Sequence, residues 1–511
     1  MSLALLGCSD TSSQQTTEIS QEAFSALKMP QLSINTGKVK DYIAQHAHAG
    51  RDSLLPDTRA ALYYQGCGQM LWVDRMLTDE RADTLLRVLW QANAQAGVDT
   101  RLFDTQQIAS DLDRLHTLDF DEANDVSTVV ARLELMLTRA WLRYTSGLRY
   151  GFVNPNRLLN TIDPEKVDST GRPKAGYKRL FDIDLERPTA KFYAEAIDAA
   201  HSVATMRAML DTIEPRTPMY AQLRTMLASD PADSKRIMAN MERCRWRARR
   251  PVPEQGKYVV VNIPAYHLYA YGGDSLLDMR IGCGKRATKT PLLHSEIEYM
   301  QVNPEWGIPQ SIIDTDVARH AGDSAYFARN RYYIAERATG QKVDIRSVTR
   351  GMLLSGRYRV NQEGGPGNSL GRLIFRFKNN FSVYLHDTST PGFFRNDVRS
   401  VSHGCVRIQK PFDFACYLLG DADEWTLDRI RISIDMPPVT KQGRRHVQRH
   451  ASDEKEEREK AMRMIRYLPV TPHVPLFIEY YTIYPDASGQ MQRYSDIYGY
   501  DDVISKRLTG I

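Results

Sequence analysis

The residues best suited to chemistry lie in the run YLHDTSTPGFFRNDVRSVSHGCVR, from Tyr384 to Arg407. Two histidines, His386 and His403, and one cysteine, Cys405, fall within about twenty residues of one another. A thiolate is a strong nucleophile, and an imidazole within hydrogen-bond reach can take the thiol proton and later return it to a leaving amine. Backbone N–H groups around Gly404 and Cys405 can aim at the oxygen of a tetrahedral intermediate, and glycine lets the backbone come close to what the thiol attacks. Two other readings compete. An isolated cysteine is often a small buried hydrophobe, which is the expectation for Cys416 in FACYLLG. A metal site of His386, His403 and Cys405 lacks the paired short ligand spacings of structural zinc. The Gly, Ser and His around Cys405 are poor core material, so the nucleophile reading leads.

These side chains need elements to hold them. Phe381, Val383 and Leu385 alternate with Ser382, Tyr384 and His386, which predicts a strand carrying Tyr384 and His386 on one face. Asp387, Thr388, Ser389, Pro391 and Gly392 then mark a loop, and the chain returns through Ser402-His403-Gly404-Cys405 into Val406-Arg407-Ile408. Strand-like segments begin at KYVVVNIPAYHLYAYGG near residue 257 and recur in DMRIGCGK, EIEYMQVN and IFRFKNNFSVYLH. A mainly β domain of mixed α+β character is expected over 253–511. Between 312 and 356 runs a polar stretch of weak periodicity, a long excursion of the kind that forms lids. Residues 441–466 are densely charged, which predicts a solvated helical excursion or a contact with anionic envelope material. A closing hairpin is expected around Ala487-Ser488-Gly489.

Residues 23–252 read as helical. Leu85, Leu86, Leu89 and Trp90 share helical spacing, with Thr78 and Asp79 as candidate caps and Gly97 beyond. Val129, Leu133, Leu137 and Trp141 form a second stripe that Gly151 closes, and no strand alternation stands out. With no catalytic cluster in it, this region reads as scaffold.

The chain has 511 residues, 42% hydrophobic and 25% charged, so most of it is expected to be globular. A net charge of +5 is too mild and too dispersed to argue for nucleic acid. Cysteines at 8, 67, 244, 283, 405 and 416 show no disulfide framework. No apolar run is long enough for a transmembrane helix. Leu3-Ala4-Leu5-Leu6-Gly7-Cys8 resembles the end of a lipoprotein signal peptide, without the charged start, and residues 9–22 have the composition of a flexible tether. Cys8 is thus the candidate lipidation site, in residues 1–22.

The H-D-T run, its spacer and S-H-G-C-V-R resemble the active-site signature of the cysteine-dependent L,D-transpeptidases of bacterial peptidoglycan. YYQGCGQMLWVD, LMLTRAWLRYTSG, GFVNP and RIMANMERCRWR resemble segments of the large, scaffold-bearing periplasmic subclass. The short interval from Leu227 to Arg236 leaves no room for the small peptidoglycan-binding module usual there. The resemblance implies a multidomain chain: a helical scaffold, then a mainly β catalytic domain with a capping insertion at 312–356. It implies that Cys405 is the nucleophile and His386 the general base and acid, with Tyr384 orienting the imidazole. His403, Gly404 and Cys405 would form the oxyanion side, shaped by Ser402 and Arg407. Asn303, Trp306 and Arg372 fall in segments expected to bind substrate, although Trp306 reads equally as a core aromatic. The implied reaction is acyl transfer from a tetrapeptide stem with release of D-alanine, giving a 3-3 cross-link without metal or cofactor, in cell wall biogenesis and cell shape. Water or a protein amine as acceptor would make the protein an L,D-carboxypeptidase or a protein-to-wall ligase, and idle residues would leave a wall-associated scaffold. Peptidoglycan stems as donor and acceptor, cell-wall synthesis proteins as partners, carbapenem acylation and a lipid-anchored periplasmic location in a Gram-negative bacterium complete the expectation.

Overall fold

The computed structural model describes residues 33–67, 69–74, 77–162, 180–272 and 276–510. Cys8 and the 9–22 tether lie outside them. The described residues form two compact units, one of those up to Asn154 with Leu185–Arg249 and Asp501 onward, the other of those in Pro155–Asp184 and Arg250–Tyr500. The expected boundary at 252/253 thus falls close to Arg249, but two segments change sides. Phe181–Asp182 pairs in parallel with Leu292–Leu293, within the second unit. Asp501 ion-pairs with Arg243 at 2.6 Å, within the first.

The first unit is helical and built on the 25-residue helix Val126–Tyr150. The Asp125 carboxylate caps it by accepting from the N–H groups of Ser127 and Thr128, and Gly151 ends it at φ 94°. Val129, Leu133, Leu137 and Trp141 are fully buried, as their spacing predicts. The same helix buries Glu134, whose carboxylate accepts from Trp72 and Val73 N–H at 2.9 and 3.0 Å and from the Tyr64 hydroxyl at 2.7 Å. These bonds replace the water the carboxylate loses on burial. In the helix Glu80–Trp90, capped by Asp79, the leucines are buried but Trp90 is 54% exposed, so it does not belong to the apolar stripe. A small ladder, Val73–Asp74 with Leu77–Thr78, interrupts the helices where no strand is expected.

The second unit is organised by a closed ring of eight strands: β1 (Tyr258–Asn262), β2 (His267–Tyr271), β3 (Leu277–Gly284), β4 (Leu292–Val302), β5 (Leu373–Phe377), β6 (Leu385–His386), β7 (Val406–Ile408) and β8 (Tyr467–Glu479). The pairing order is β5-β6-β7-β3-β2-β1-β8-β4, and a β4–β5 pairing closes it. Alternation fills the interior with apolar residues such as Phe375, Leu385, Val406 and Met300, all nearly inaccessible. The hairpin Ile483–Pro485 with Met491–Arg493 forms as expected but stands apart as its own two-stranded sheet.

The 312–356 insertion is a folded subdomain. Tyr332–Glu336, Lys342–Val343, Tyr358–Gln362 and Trp306–Gly307 form a four-stranded sheet. Ile313, Val317, Phe327, Ile334, Leu353 and Val360 build its core, and Trp306 packs against that core from the side. The weak periodicity reflects short elements, none of which extends beyond six residues between Gln310 and Leu354.

Candidate active site

β6 and β7 are parallel neighbours, with Leu385 opposite Val406 and His386 opposite Arg407. Residues in register on adjacent parallel strands share a face, and residues two apart return to it. Tyr384, His386, Cys405 and Arg407 therefore sit together on the outer face of the ring, while Leu385 and Val406 fill its inside. The predicted strand is shorter than its alternation suggests. The Asn379 side chain accepts from the N–H groups of Phe381 and Val383 and donates to the Phe377 and Val383 carbonyls, tying 377–383 into a turn. Ser382 there adopts φ 54°. That turn places the Ser382 carbonyl 4.0 Å from Cys405 Sγ, where it can accept from the thiol, and directs the Tyr384 N–H to the sulfur.

His386 is buried, with Nδ1 2.5 Å from the Asp387 carbonyl. A carbonyl only accepts, so Nδ1 carries the hydrogen. Burial and then the Arg407 guanidinium push the imidazole down to about 4, against the pull of the Asp387 and Leu370 carbonyls. Burial also raises the Cys405 thiol, more than the Tyr384 N–H, Arg407 and Arg376 lower it. The resting pair near neutrality is therefore imidazole and thiol. Such a pair works by general base catalysis, the proton leaving sulfur as sulfur attacks.

The turn that carries Cys405 is held from both sides. Ser402 Oγ accepts from the Gly404 N–H at 3.1 Å and donates to the Cys405 carbonyl at 2.6 Å. Gly404 sits at φ 118°, a region that side chains avoid. Its carbonyl accepts from Thr290 Oγ1 at 2.9 Å, and the same hydroxyl accepts from the Gly284 N–H at 2.9 Å. Thr290 N–H donates to the Tyr498 hydroxyl, which donates to the Gly284 carbonyl at 2.8 Å. Because Ser402 already engages the Gly404 N–H, that amide is not an oxyanion donor. Among the described residues the N–H groups of His403 and Cys405 have no acceptor, which leaves them for the task.

The remaining expected site residues take other positions. Tyr384 does not orient His386: its ring lies 3.9 Å from the Arg376 guanidinium, and the Asp387 and Leu370 carbonyls hold the imidazole. Arg372 donates from Nε to Asn303 Oδ1, from Nη1 to Asp435 and from Nη2 to the Ser433 carbonyl, which also accepts from Asn303 Nδ2 at 2.6 Å. Their donors thus bind the chain's own 433–435 segment in place of substrate. Trp306 belongs to the wall of the capping core. His403 is exposed, and its proton affinity is lowered by partial burial and Lys285 and raised by Asp316. Asp316 lies on the turn Ile313–Val317 of the capping subdomain, which therefore acts electrostatically on His403. Among the described residues no group of three or more His, Cys, Asp or Glu could hold a metal ion. Cys244, Cys283, Cys405 and Cys416 are free thiols, and Cys416 is half-buried, not fully interior.

Asp387, Asn379 and Thr290 are the residues that motif reasoning passed over. Asp387 accepts from the Arg372 and Thr388 N–H groups at 2.7 Å each, fixing the start of the loop after His386. Its place directly after the histidine, before Thr and Ser, was the one available signal, since Asx side chains bind nearby backbone.

A thiol and a buried imidazole thus lie on neighbouring strands of a closed β ring, an arrangement whose chemistry suits attack by sulfur on a carbonyl. Residues 256–423 match the family model of YkuD, an L,D-transpeptidase catalytic domain, and residues 57–227 match that of the Scaffold domain. Over 259 residues the chain is 29% identical to a Haemophilus influenzae protein provisionally named an L,D-transpeptidase. That match covers 50% of this chain and 47% of the relative, so the chain spans about half the length of the curated relative it matches.

Proposed function

We propose that the protein is an L,D-transpeptidase that forms 3-3 cross-links in peptidoglycan. The observation that carries this reading is the neutral His386–Cys405 pair on one face of β6 and β7, with free amides at His403 and Cys405 beside it. Cys405 Sγ attacks the carbonyl joining stem residue three to the terminal D-alanine as His386 takes the thiol proton. The amide bond breaks, the proton passes to the leaving amine, and D-alanine departs. A side-chain amine of a second stem then attacks the thioester, forming the new amide and returning the thiol. Beside the dyad, the capping subdomain would limit access of water to the thioester.

Incubation with disaccharide-tetrapeptide tests the acceptor, with cross-linked dimer and free D-alanine expected by mass spectrometry and both lost in Cys405→Ala. Tripeptide alone would instead make the protein an L,D-carboxypeptidase. Export to the periplasm, lipid attachment at Cys8 and recruitment by cell-wall synthesis proteins belong to the same proposal. Incorporation of labelled fatty acid that depends on Cys8 checks the anchor.

A further inference from the structure

The catalytic unit carries a concentrated basic surface that acyl transfer does not use. In the helix Lys441–Arg449 the residues Lys441, Arg444, Arg445 and Arg449 are exposed, with no acidic residue among them. At 3.6 residues per turn the four fall within an arc of about 140°. Gly443, His446 and Val447 occupy the opposite side. Gly443 is buried against Asp428, whose carboxylate a Cβ at that position would meet at 2.5 Å. Asp428 accepts from the N–H groups of Val439 and Thr440 and from Arg431, so a buried carboxylate fixes the start of the helix. The basic arc is therefore presented rigidly. None of the four has a carboxylate partner among the described residues, and Arg444 donates only to the Val439 carbonyl.

The chain leading into this helix is apolar and exposed: Met436 is 38% and Val439 51% accessible, with Pro437 and Pro438 between them. Ser433 Oγ accepts from the N–H groups of Met464 and Ile465, which brings exposed Arg463, Arg466 and Tyr467 alongside. Between 436 and 467 there are nine Lys and Arg against five Asp and Glu. The acidic residues begin at Asp453, which pairs with His450, and continue along the next helix, Lys455–Met462. An apolar tip bordered by fixed cations matches a bilayer surface, where phosphates meet the cations and the acyl boundary takes the tip. A soluble polyanion would leave Met436 and Val439 unused.

We propose that Met436, Val439 and the basic face of Lys441–Arg449 dock the catalytic unit on an anionic lipid surface. The full chain carrying Cys8→Ser, so that no acyl anchor contributes, is floated with phosphatidylcholine vesicles, with and without phosphatidylglycerol, and titrated against polyglutamate. Binding is expected only to the phosphatidylglycerol vesicles, falling as salt is added. Arg444→Gln with Arg445→Gln should weaken it about thirtyfold. Val439→Ser should weaken vesicle binding and leave any polyglutamate binding unchanged. Each variant should keep the parent's rate of Cys405 acylation, which checks the fold independently of lipid. Equal binding to neutral vesicles, full binding by the double variant or by Val439→Ser, or capture by polyglutamate with vesicles left free would each overturn the proposal.

Discussion

Thr290→Val removes one hydroxyl and keeps the shape of the side chain, so its consequences can be worked from two hydrogen bonds. Thr290 is inaccessible, and its Oγ1 serves both the Gly404 carbonyl and the Gly284 N–H. Valine leaves both buried groups without a partner, at about 1–3 kcal/mol each before relaxation. A net loss of roughly 2–4 kcal/mol should lower Tm by about 5–15 °C for a unit of this size. The kinetic effect is separate. Gly404 precedes Cys405, and a shift of its peptide moves both the sulfur and the neighbouring amides. Displacements near 1 Å can cost about a hundredfold in rate. Acylation of Cys405 by a carbapenem, followed by intact-protein mass spectrometry below the variant's Tm, should slow by about ten- to a hundredfold, with little change in half-saturating concentration. Thr290→Ser keeps the hydroxyl and should restore most of the rate. A folded Thr290→Val protein that acylates like the parent would refute the reasoning, and so would a Ser variant as slow as the Val variant.

The acid limb of acylation should fall near pH 4, where His386 titrates, in place of the 6.5 of a free imidazole. Arg407→Gln removes the largest charge acting on that ring and should move the limb upward, as a pH–rate profile reads directly. Because folding lowers the affinity of His386 for its proton, its contribution to stability is complete above about pH 6.5 and is lost as pH falls toward 4. Roughly 3 kcal/mol is at stake, visible as a steeper loss of Tm with acid than in His386→Gln. Arg372→Ala should cost about 2 kcal/mol of stability by freeing the 433–435 segment while leaving KM for the donor stem near the parent value, as denaturant titration and steady-state kinetics would check. Gly371→Ala should be poorly folded, since φ is 69° and the new Cβ would meet Asp387 Cβ at 2.4 Å; thermal melting reads it.

The helical stripes and the apolar ring strands were legible because burial imposes periods of 3.6 and 2 on long segments. Trp90 escaped that logic, an exposed aromatic at a position the spacing marks as buried. His386 and Cys405 stood out by residue type, because Gly, Ser and His are poor core material beside a Cys, and the structure places them by neighbouring strands. What supports them was not legible. Thr290 and Tyr498 lie far from Cys405 in the chain, and only ring closure brings them under Gly404. Arg372 and Asn303 were misread for the opposite reason. Polar residues near a cleft resemble ligand contacts until the partner segment, here 433–435, is seen to take their hydrogen bonds.

The closed ring also bears on when the nucleophile is completed during synthesis. β8 fills the gap between β1 and β4, and Tyr498 braces Gly284 and Thr290 from farther along the chain. A ribosome that has made Cys405 but not yet Tyr467 has produced a thiol whose cradle is still open. The turn around Cys405 is therefore braced only after residues 467–498 have emerged.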